Sequence, residues 1–370
     1  MVETKDFYDC LLNNNIVFFA GVPDSLLSNL CACIKMNSPK EKNIITANEG
    51  NAVAMCAGYY LSTGKFGCVY MQNSGEGNAV NPLLSLVDED VYKIPMLLII
   101  GWRGEPGKHD EPQHVKQGKV TLSLLDTMGI KYEVLTDDYE SQLQNAISYM
   151  KENSQPYALI IQKGLFSTYK IEKEKSSYEL TREDALKEII SNLTKEDIIV
   201  STTGKTSREI FEIREANNEG HSNDFLTVGS MGHTASIAYG VAIGTDKNVW
   251  CIDGDGSFIM HMGGLGVIGS NIPKNFKYIL NDNNAHESVG GQPTCSKYLD
   301  IPAIIKACGF KDVIVAETKE EIAKGIKRLN TESGVAMVLH TKQGSREDLG
   351  RPTKTPQENK IALMEKLGVK

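Results

Sequence analysis

Short apolar runs alternate with stretches of helical pattern along the whole chain of 370 residues. Strands that alternate with helices are typical of parallel β-sheets that are covered by helices on both faces. A polar and charged stretch at residues 169–178 separates five of these runs from five more. The runs are Ile16–Phe19, Asn43–Thr46, Gly67–Met71, Pro95–Ile100, Ala158–Ile161, Asp197–Val200, Thr227–Val228, Asn248–Ile252, Lys277–Leu280 and Val335–His340.

The two halves on either side of this stretch close with similar segments. Pro156–Gly164 ends the first half, and Gly334–Gly344 ends the second. Thr181 begins a capping sequence for the helix that follows the polar stretch. The chain is also longer than one hydrophobic core comfortably supports. We therefore predict an α/β fold of two similar three-layer domains with parallel sheets, at residues 1–168 and 181–370, joined by a linker at residues 169–180.

The composition is that of an ordinary soluble globular protein, with 41% hydrophobic and 23% charged residues. A net charge of −8 argues against nucleic acid and against anionic membrane surfaces as partners. The first residues carry no signal-peptide pattern, and no apolar run approaches the length that spans a membrane. The eight cysteines include no C-x-x-C pair, which favours reduced thiols. We expect a cytoplasmic protein.

Two chemically distinctive segments follow neighbouring apolar runs in the second half. One run ends in Gly254-Asp255-Gly256, and 26 residues separate this turn from Asn283. Asp255 offers a hard carboxylate oxygen and an asparagine offers an amide oxygen, both of which suit Mg²⁺. The glycines let backbone N–H groups approach phosphates closely. The pair predicts a divalent metal that holds a diphosphate at two strand ends, with the second ligand open among Asn281, Asp282, Asn283 and Asn284.

Each piece also has a simpler interpretation. Gly-Asp-Gly alone is more often a turn, and an asparagine cluster after a strand is usually a capped loop. Residues 264–269 also fit the dinucleotide fingerprint G-x-G-x-x-G, with Asp282 following 18 residues after its first glycine. That fingerprint must form the turn directly after a strand, whereas these glycines begin eight residues after Gly256. We therefore favour the metal–diphosphate site, and we expect the glycines to let a helix pack closely on the sheet.

A carboxylic acid occupies a comparable position in the first half. Residues 45–58 begin as a strand, and Glu49 follows at the start of a helix of small residues. A buried carboxyl at this point can share a proton with a ring nitrogen of a bound molecule, because burial raises its pKa. A glutamate that complements the helix dipole is the simpler interpretation. The diphosphate motif in the second half favours the proton-sharing role for Glu49.

These segments are similar to those of the thiamine-diphosphate-dependent enzymes. Residues 45–58 resemble the glutamate segment of the family's pyrimidine-binding domain, and residues 251–292 resemble its diphosphate-binding domain. The resemblance implies that residues 1–168 form the former domain and residues 181–370 the latter. It also implies thiamine diphosphate and Mg²⁺ as cofactors, and the implied metal ligands are Asp255, Asn283 and the carbonyl of Ala285. The residues implied to bind the cofactor are Glu49, Gly229, Ser230, Met231, Gly254, Asp255, Gly256, Ser257, Asn283, Ala285 and His286.

Two positions in these segments have more specific implications. Residues 229–234 resemble the family strip in which a bulky apolar residue wedges between the two cofactor rings. Met231 would hold the cofactor bent, and the Gly229 carbonyl would accept a hydrogen bond from its amine. An ordinary core methionine is the simpler interpretation of Met231. Asn284 fills a position that is often glycine in the family.

Five further segments narrow the resemblance to the phosphonopyruvate decarboxylases, with the sulfopyruvate decarboxylases as close relatives. They are Gly21–Ser25, Trp102–Gly107, Asp110–His114, Ala285–Thr294 and Gly344–Thr353. The resemblance implies decarboxylation of 3-phosphonopyruvate to 2-phosphonoacetaldehyde and CO₂, through a carbanion and enamine of the cofactor, in phosphonate biosynthesis. The alternatives are sulfopyruvate decarboxylation, an acetolactate-type carboligase, and a thiamine-diphosphate sensor without catalytic activity.

The resemblance also implies roles for individual side chains and a partner. Glu49 would polarise the pyrimidine ring, and His114 and His286 are candidate catalytic proton donors or orienting groups. A small 2-oxo acid with a second anionic group needs donors, and a guanidinium fork matches a phosphonate face. The predicted substrate-binding residues are Asp24, Ser25, Arg103, His114, Arg346 and Arg351. Surface arginines and structural histidines are the simpler alternatives. In this family the two halves of one site usually come from different subunits, which implies a homo-oligomer.

Overall fold

The computed structural model describes residues 1–170 and 176–369. The chain forms two compact units, Met1–Lys173 and Glu174–Lys370. The predicted linker, residues 169–180, includes residues 171–175, which lie outside the described residues. The domain boundaries at residues 168 and 181 therefore stay a prediction. Among the helices described, none combines the length and the apolar character that a membrane crossing requires.

The described residues of the first unit form six strands and six α-helices. The strands are β1 (Phe19–Gly21), β2 (Asn43–Ile45), β3 (Cys68–Gln72), β4 (Leu97–Gly101), β5 (Lys131–Val134) and β6 (Tyr157–Ile161). The helices are α1 (Thr4–Asn13), α2 (Ser28–Asn37), α3 (Glu49–Thr63), α4 (Glu76–Ser85), α5 (Pro112–Thr127) and α6 (Tyr139–Asn153). All strands pair in parallel, in the order β2-β1-β3-β4-β6-β5.

Both faces of this sheet are covered by hydrophobic cores, which explains the continuously apolar sequence of strand β3. Successive side chains of a strand point to opposite faces of the sheet. Cys68 and Tyr70 belong to one hydrophobic core, and Val69 and Met71 belong to another on the opposite face. A strand that is buried on both faces has no position at which a polar side chain would reach water.

Residues 176–369, the part of the second unit that the structure describes, form eight strands and eight α-helices. The strands are β7 (Ile198–Ser201), β8 (Asp224–Leu226), β9 (Val249–Gly254), β10 (Phe276–Asp282), β11 (Ala285–His286), β12 (Gln292–Pro293), β13 (Asp312–Ala316) and β14 (Val335–His340). The helices are α7 (Arg182–Ser191), α8 (Lys205–Asn217), α9 (Thr234–Ile243), α10 (Asp255–Met260), α11 (Gly263–Gly269), α12 (Ile301–Ala307), α13 (Lys319–Thr331) and α14 (Pro356–Lys366). Six strands form a parallel sheet in the order β13-β14-β10-β9-β7-β8, and β11 pairs with β12 in an antiparallel ribbon.

The two six-stranded sheets share one topology. Counted along the chain within each unit, the strands of both sheets lie in the order second, first, third, fourth, sixth, fifth. The predicted pair of similar parallel α/β domains is therefore confirmed. The predicted cap of the first helix in the second unit is also confirmed, because the Thr181 hydroxyl accepts from the Asp184 backbone N–H at 2.9 Å.

Several strand predictions are wrong in detail. The first strand, β1, overlaps the predicted run Ile16–Phe19 only at its last residue, and β8 precedes the predicted run Thr227–Val228. Each sheet also has an edge strand that was not predicted, namely β5 in the first and β13 in the second. The side chains of these two edge strands are mostly half-buried or exposed, so a continuous buried run does not mark them clearly.

The glycines of the dinucleotide-like fingerprint lie in helix α11, as the prediction of a helix at this point required. The reason given for them is only partly right. A Cβ atom added at Gly269 would lie 1.8 Å from the carbonyl oxygen of Cys308. The close approach is therefore to the end of α12, and it is the backbone of that segment that excludes a side chain at Gly269.

Candidate active site

The carboxyl ends of two central strands meet beside the Gly-Asp-Gly turn. Strands β9 and β10 pair in parallel, and Gly254 is opposite Asn281 in the register. Asp255 follows β9 as the first residue of α10, and Asn283 follows β10 directly. Both side chains are buried. The fold therefore brings the two pieces of the predicted metal motif to one edge of the second sheet.

Asp255 shares a buried network with a second acid, Asp282. Thr294 Oγ1 donates to Asp255 Oδ2 at 2.6 Å. Ser296 Oγ lies 3.3 Å from the same oxygen and 2.7 Å from Asp282 Oδ1. Burial and the neighbouring Asp282 carboxylate raise the pKa of Asp255 to about 7. Two carboxylates buried this closely repel each other, so a cation between their oxygens would lower the free energy of the site.

The end of β10 and the loop after it each use an asparagine for local structure. Asn281 Oδ1 accepts a hydrogen bond from the Thr341 hydroxyl at 3.0 Å. Asn284 Nδ2 donates to Asp282 Oδ1 at 2.7 Å. The backbone of Asn284 has a φ of 57°, in the left-handed region that glycine adopts most readily and asparagine tolerates. This conformation explains how asparagine can replace glycine at this position.

Asn283 is held at both ends of its amide group. Its Oδ1 accepts from the backbone N–H of Ala285 at 3.1 Å, and its Nδ2 donates to Glu287 Oε2 at 2.9 Å. The segment continues into strand β11, where Ala285 and His286 pair with Pro293 and Gln292. The short ribbon therefore fixes the chain that carries the predicted amide and carbonyl ligands.

The predicted cofactor residues Met231 and His286 lie against the Gly-Asp-Gly turn. A Cβ atom added at Gly256 would lie 2.9 Å from His286 Nδ1 and 3.1 Å from Met231 Cε. Burial lowers the pKa of His286 to about 4, which leaves its imidazole neutral at pH 7. The Gly232 backbone N–H donates to Ser257 Oγ at 3.2 Å, which attaches the Met231 strip to the first turn of α10.

The Met231 strip has an irregular backbone. Gly229, Ser230 and Gly232 all have positive φ values, of 75°, 47° and 89°. The Gly229 N–H donates to Thr203 Oγ1 at 3.1 Å, so the strip is attached at both ends. Met231 lies between these turns and is half-buried. The hydroxyl groups of Thr203 and Ser257 therefore hold the backbone on either side of the Met231 side chain.

The donor set of this edge fits a magnesium diphosphate. Within residues 1–170 and 176–369, no group of three or more His, Cys, Asp or Glu side chains is placed to hold a metal. The candidate ligand oxygens at this edge are those of the Asp255 carboxylate, the Asn283 amide and main-chain carbonyls such as that of Ala285, and the Asp282 carboxylate lies beside them. Mg²⁺ binds through one or two carboxylates when phosphate oxygens complete its coordination. The absence of a Cβ atom at Gly256 lets His286 and Met231 approach the backbone of this turn closely.

In the first unit, Glu49 is a buried acid at the end of strand β2. Asn48 caps helix α3 by accepting from the Asn51 N–H, and Glu49 is the first residue of that helix. Asn78 Nδ2 donates to Glu49 Oε2 at 2.7 Å. A Cβ atom at Gly75 would lie 2.4 Å from Glu49 Oε1, so the acid packs directly on that glycine. Burial raises the pKa of Glu49, against the hydrogen bond from Asn78, which lowers it.

A second cluster in the first unit brings together three of the predicted substrate-binding residues. Arg103 Nη1 donates to Ser25 Oγ at 2.6 Å, and Arg103 Nε donates to Asp110 Oδ2 at 2.8 Å. Asp24 is fully buried, and its Oδ1 accepts from Gln72 Nε2 at 2.5 Å and lies 3.5 Å from Ser25 Oγ. Burial raises the pKa of Asp24. The cluster therefore combines a guanidinium, a hydroxyl and a buried acid.

His114 is buried near the start of helix α5 in the same unit. Burial, followed by the positive charge of Arg103, lowers the pKa of His114, which favours a neutral imidazole. Its backbone also packs tightly, because a Cβ atom at Gly104 would lie 2.0 Å from the His114 carbonyl oxygen. The four predicted substrate-binding residues of the first unit therefore belong to one polar region.

Arg346 and Arg351 lie in the second unit and differ from Arg103 in their surroundings. Arg346 Nε donates to Glu183 Oε2 at 2.7 Å, Nη1 donates to Asp348 Oδ1 at 2.9 Å, and Nη2 pairs with Glu212. Three carboxylates therefore surround this guanidinium. Arg351 is exposed.

Sequence reasoning missed the residues that hold the two candidate acids. Asn78 follows strand β3 in an asparagine-rich segment, residues 73–81, much as Asn283 follows β10. The same rule of polar clusters at strand ends could have identified Asn78. Thr294 and Ser296 lie 39 and 41 residues after Asp255, and no local pattern links them to it.

Comparisons with known proteins agree with this arrangement. Residues 3–126 match the family described as thiamine pyrophosphate enzyme, N-terminal TPP binding domain, and residues 202–340 match the corresponding C-terminal TPP binding domain. The chain is 32% identical to a phosphonopyruvate decarboxylase of Streptomyces viridochromogenes, over 97% of this chain and 93% of the relative. A phosphonopyruvate decarboxylase of Streptomyces hygroscopicus is also 32% identical, over 97% and 92%.

A sulfopyruvate decarboxylase of Methanosarcina acetivorans is 29% identical, over 84% of this chain and 83% of the relative. These matches confirm the resemblance that the sequence motifs predicted. The chain therefore belongs to the thiamine pyrophosphate enzymes, within the family of thiamine-dependent decarboxylases that includes the phosphonopyruvate decarboxylases.

Proposed function

We propose that this enzyme decarboxylates 3-phosphonopyruvate to 2-phosphonoacetaldehyde and CO₂ in phosphonate biosynthesis, with thiamine diphosphate and Mg²⁺ bound. The observation that carries this choice of substrate is the 32% identity to two phosphonopyruvate decarboxylases over 97% of the chain. The similarity to the sulfopyruvate decarboxylase covers a smaller share of the chain, 84%.

In this proposal the edge of the second sheet holds the metal and the diphosphate. Asp255, the Asn283 amide oxygen and the Ala285 carbonyl would be the protein ligands of Mg²⁺. Met231 and His286 would flank the cofactor beside Gly256, because all three residues lie together there. When bound, thiamine diphosphate supplies the nucleophilic carbon and the electron sink for the loss of CO₂.

Glu49 would hold a proton for the pyrimidine ring. Its pKa is raised by burial, so the carboxyl keeps a proton at a higher pH than an exposed glutamate does. Asn78 holds one carboxyl oxygen at 2.7 Å and so fixes the plane of the group. The acid would therefore be ready to share its proton without first changing its orientation.

The anionic end of the substrate would bind in the cluster of the first unit. Arg103 is the predicted arginine that lies with Asp24 and Ser25, and the neutral His114 can donate one hydrogen bond. Arg346 already faces three carboxylates, so an anion would have to displace them. We therefore place Arg103 ahead of Arg346 and Arg351 as the residue that binds the phosphonate.

Two further parts of the proposal come from the family resemblance. A homo-oligomer would complete the active site with residues of two subunits. The enzyme would act in the cytoplasm. Size measurement of the purified protein by light scattering would test the first of these, and a monomer that is fully active at assay concentration would contradict it.

The test of the proposed function is CO₂ release by the purified enzyme with Mg²⁺ and thiamine diphosphate. We expect kcat/KM for 3-phosphonopyruvate to exceed that for sulfopyruvate and pyruvate by more than about tenfold, which corresponds to 1.4 kcal/mol of transition-state binding. A preference for sulfopyruvate would mean that the enzyme is a sulfopyruvate decarboxylase. Condensation of two 2-oxo acids would favour a carboligase, and cofactor binding without any turnover would favour a sensor.

The arginine assignment has its own matched pair of variants. Replacing Arg103 with alanine should raise KM for 3-phosphonopyruvate by roughly 10- to 100-fold, because a charge-assisted hydrogen bond contributes about 1.5–3 kcal/mol. The change Arg346→Ala should leave KM near the wild-type value. The opposite pattern would move the phosphonate site to the second unit.

A further inference from the structure

We infer that Glu287, itself fixed by the buried Arg182, sets the orientation of the Asn283 amide and thereby the Mg²⁺ affinity of the site. The inference rests on the proposed function, because it takes Asn283 as a metal ligand. Neither Glu287 nor Arg182 belongs to the residues predicted from the sequence. Their role would be to position another residue, since neither one is a ligand.

The orientation follows from what each group can donate. An asparagine amide presents an oxygen on one side and an NH₂ group on the other, and rotation by half a turn exchanges them. An ionised carboxylate only accepts hydrogen bonds. Because Glu287 Oε2 lies 2.9 Å from the Asn283 amide, the nitrogen must face the carboxylate. Asn283 Oδ1 then points towards the Ala285 N–H, at 3.1 Å, and keeps a second lone pair for a cation.

The Glu287 carboxylate is held by two basic side chains. Arg182 Nη1 donates to Glu287 Oε2 at 2.5 Å, and Lys205 Nζ lies 3.4 Å from Oε1. The side chain of Arg182 is only 5% exposed. Each oxygen of Glu287 therefore has a basic donor beside it, so the carboxylate faces the Asn283 amide as an acceptor.

Arg182 is in turn immobilised by a second acid. Its Nε and Nη2 donate to the two carboxylate oxygens of Glu209, both at 2.7 Å. Arg182 is the first residue of α7, and Glu209 lies in α8. A guanidinium that forms a planar two-point pair has little freedom to turn. Two helices of the unit therefore determine where Glu287 lies, and Glu287 determines which way Asn283 faces.

The other asparagines of the loop lack this arrangement. The Asn281 oxygen accepts from the Thr341 hydroxyl, and the Asn284 amide nitrogen donates to Asp282. In the described loop, Asn283 is the asparagine whose nitrogen is held by a carboxylate that an arginine fixes. This difference favours Asn283 among the three asparagines that the sequence left open as candidate ligands.

A second arginine in the same unit provides a matched control. Arg214 pairs through Nε and Nη2 with Asp224, at 3.1 and 3.0 Å, and through Nη1 with Glu219 at 2.6 Å. Glu219 also accepts from an asparagine amide, that of Asn217, at 3.2 Å. The two networks thus have the same parts, but the asparagine in the second is not a candidate metal ligand. The changes Glu287→Gln and Glu219→Gln remove one carboxylate from each.

The test is the Mg²⁺ dependence of thiamine diphosphate binding to the apoprotein, measured by calorimetry. In Glu287→Gln the new side chain can donate an N–H, so the Asn283 amide is free to turn its nitrogen towards the metal. We expect the half-saturating Mg²⁺ concentration to rise by about 10- to 100-fold, as is typical when a group that orients a ligand is lost. Cofactor affinity at saturating Mg²⁺ should stay near the wild-type value, and Glu219→Gln should match the wild type in both.

A double variant separates orientation from a general structural effect. An aspartate at position 283 presents an oxygen whichever way it turns, so Asn283→Asp combined with Glu287→Gln should regain most of the Mg²⁺ affinity. Failure of the double variant to regain it would overturn the inference, as would an unchanged Mg²⁺ requirement in Glu287→Gln or equal losses in both single variants. If the wild type itself binds the cofactor without Mg²⁺, the metal role in the proposed function fails before any variant is compared.

Discussion

Each unit places a buried acid at the start of a helix that follows a strand, but the strands differ: β2 lies at the edge of the first sheet and β9 lies in the centre of the second. Glu49 begins helix α3 after a strand of the first sheet, and Asp255 begins α10 after a strand of the second. Burial raises the pKa of both. Glu49 has one side-chain partner, the amide of Asn78. Asp255 accepts from the hydroxyl groups of Thr294 and Ser296, and Ser296 also donates to a second acid, Asp282.

The neighbours of each acid indicate what it can do. A single acid with one amide donor can relieve its desolvation by keeping its proton, so it is suited to proton exchange. Two acids that face each other gain more from a cation that both carboxylates attract. In the proposed function, Glu49 would therefore hold a proton in the first unit and Asp255 would bind the cation in the second.

The largest expected effect comes from removing the charge of Asp255. Asp255→Asn should raise the half-saturating Mg²⁺ concentration for thiamine diphosphate binding by more than about 100-fold, because loss of a direct ligand exceeds loss of an orienting group. Activity should fall with it, since the cofactor would no longer be held. Calorimetric titration of cofactor and Mg²⁺ into the apoprotein measures this.

The control for this variant is Asp197→Asn. Asp197 is also buried in the second unit, where it accepts from the Thr194 N–H at 2.7 Å and from Asn248 Nδ2 at 3.0 Å, next to the amino end of β7. It should retain the wild-type Mg²⁺ requirement. Normal Mg²⁺-dependent binding in Asp255→Asn would refute the cation-binding role of Asp255.

Replacing the acid of the first unit should affect turnover and leave cofactor binding intact, which makes its effect more selective than that of Asp255→Asn. Glu49→Gln should retain cofactor binding and lower kcat by about 10²- to 10⁴-fold, the usual contribution of a positioned proton-transfer group. Steady-state CO₂ release together with a cofactor titration separates the two effects. Glu133→Gln is the control, because Glu133 accepts from the Tyr157 hydroxyl at 2.6 Å on the edge strand β5. Near-normal turnover in Glu49→Gln would refute the proton-holding role.

The sheets illustrate which parts of the fold the sequence could predict. Central strands such as β4 and β9 are buried on both faces, so their apolar runs stand out. Strand β5 reads Lys131-Tyr-Glu-Val134 and lies at an edge, where charged side chains reach water and the apolar run disappears. Strand β13 does contain an apolar run, Val313–Ala316, which the same reasoning could have detected.

The candidate site shows a similar division. Asp255 and Asn283 could be predicted to meet because the carboxyl ends of adjacent parallel strands lie at one edge of a sheet. The orientation of Asn283 could not be predicted, because it depends on Glu287 and on Arg182. That arginine lies 105 positions before Glu287 in the chain. The three carboxylates around Arg346 likewise depend on how the loop after β14 folds. Strand ends fix where a side chain starts, and the loops decide what it faces.

The smallest expected effect concerns the stability of the apoprotein as a function of pH. The folded chain holds the proton of Glu49 more tightly than the unfolded chain, whose glutamate has a pKa of 4.5. The stability contributed by the protonated acid is therefore fully present below pH 4.5 and is lost as the pH rises through the folded pKa, by roughly 1.4 kcal/mol for each unit of difference. Urea unfolding of the wild type and of Glu49→Gln at several pH values should show the variant gaining in relative stability as the pH rises. In Asn78→Ala the loss should be larger and extend to higher pH, because the amide that stabilises the ionised form is gone. Parallel curves for all three proteins would mean that Glu49 is not the proton-holding acid of this comparison.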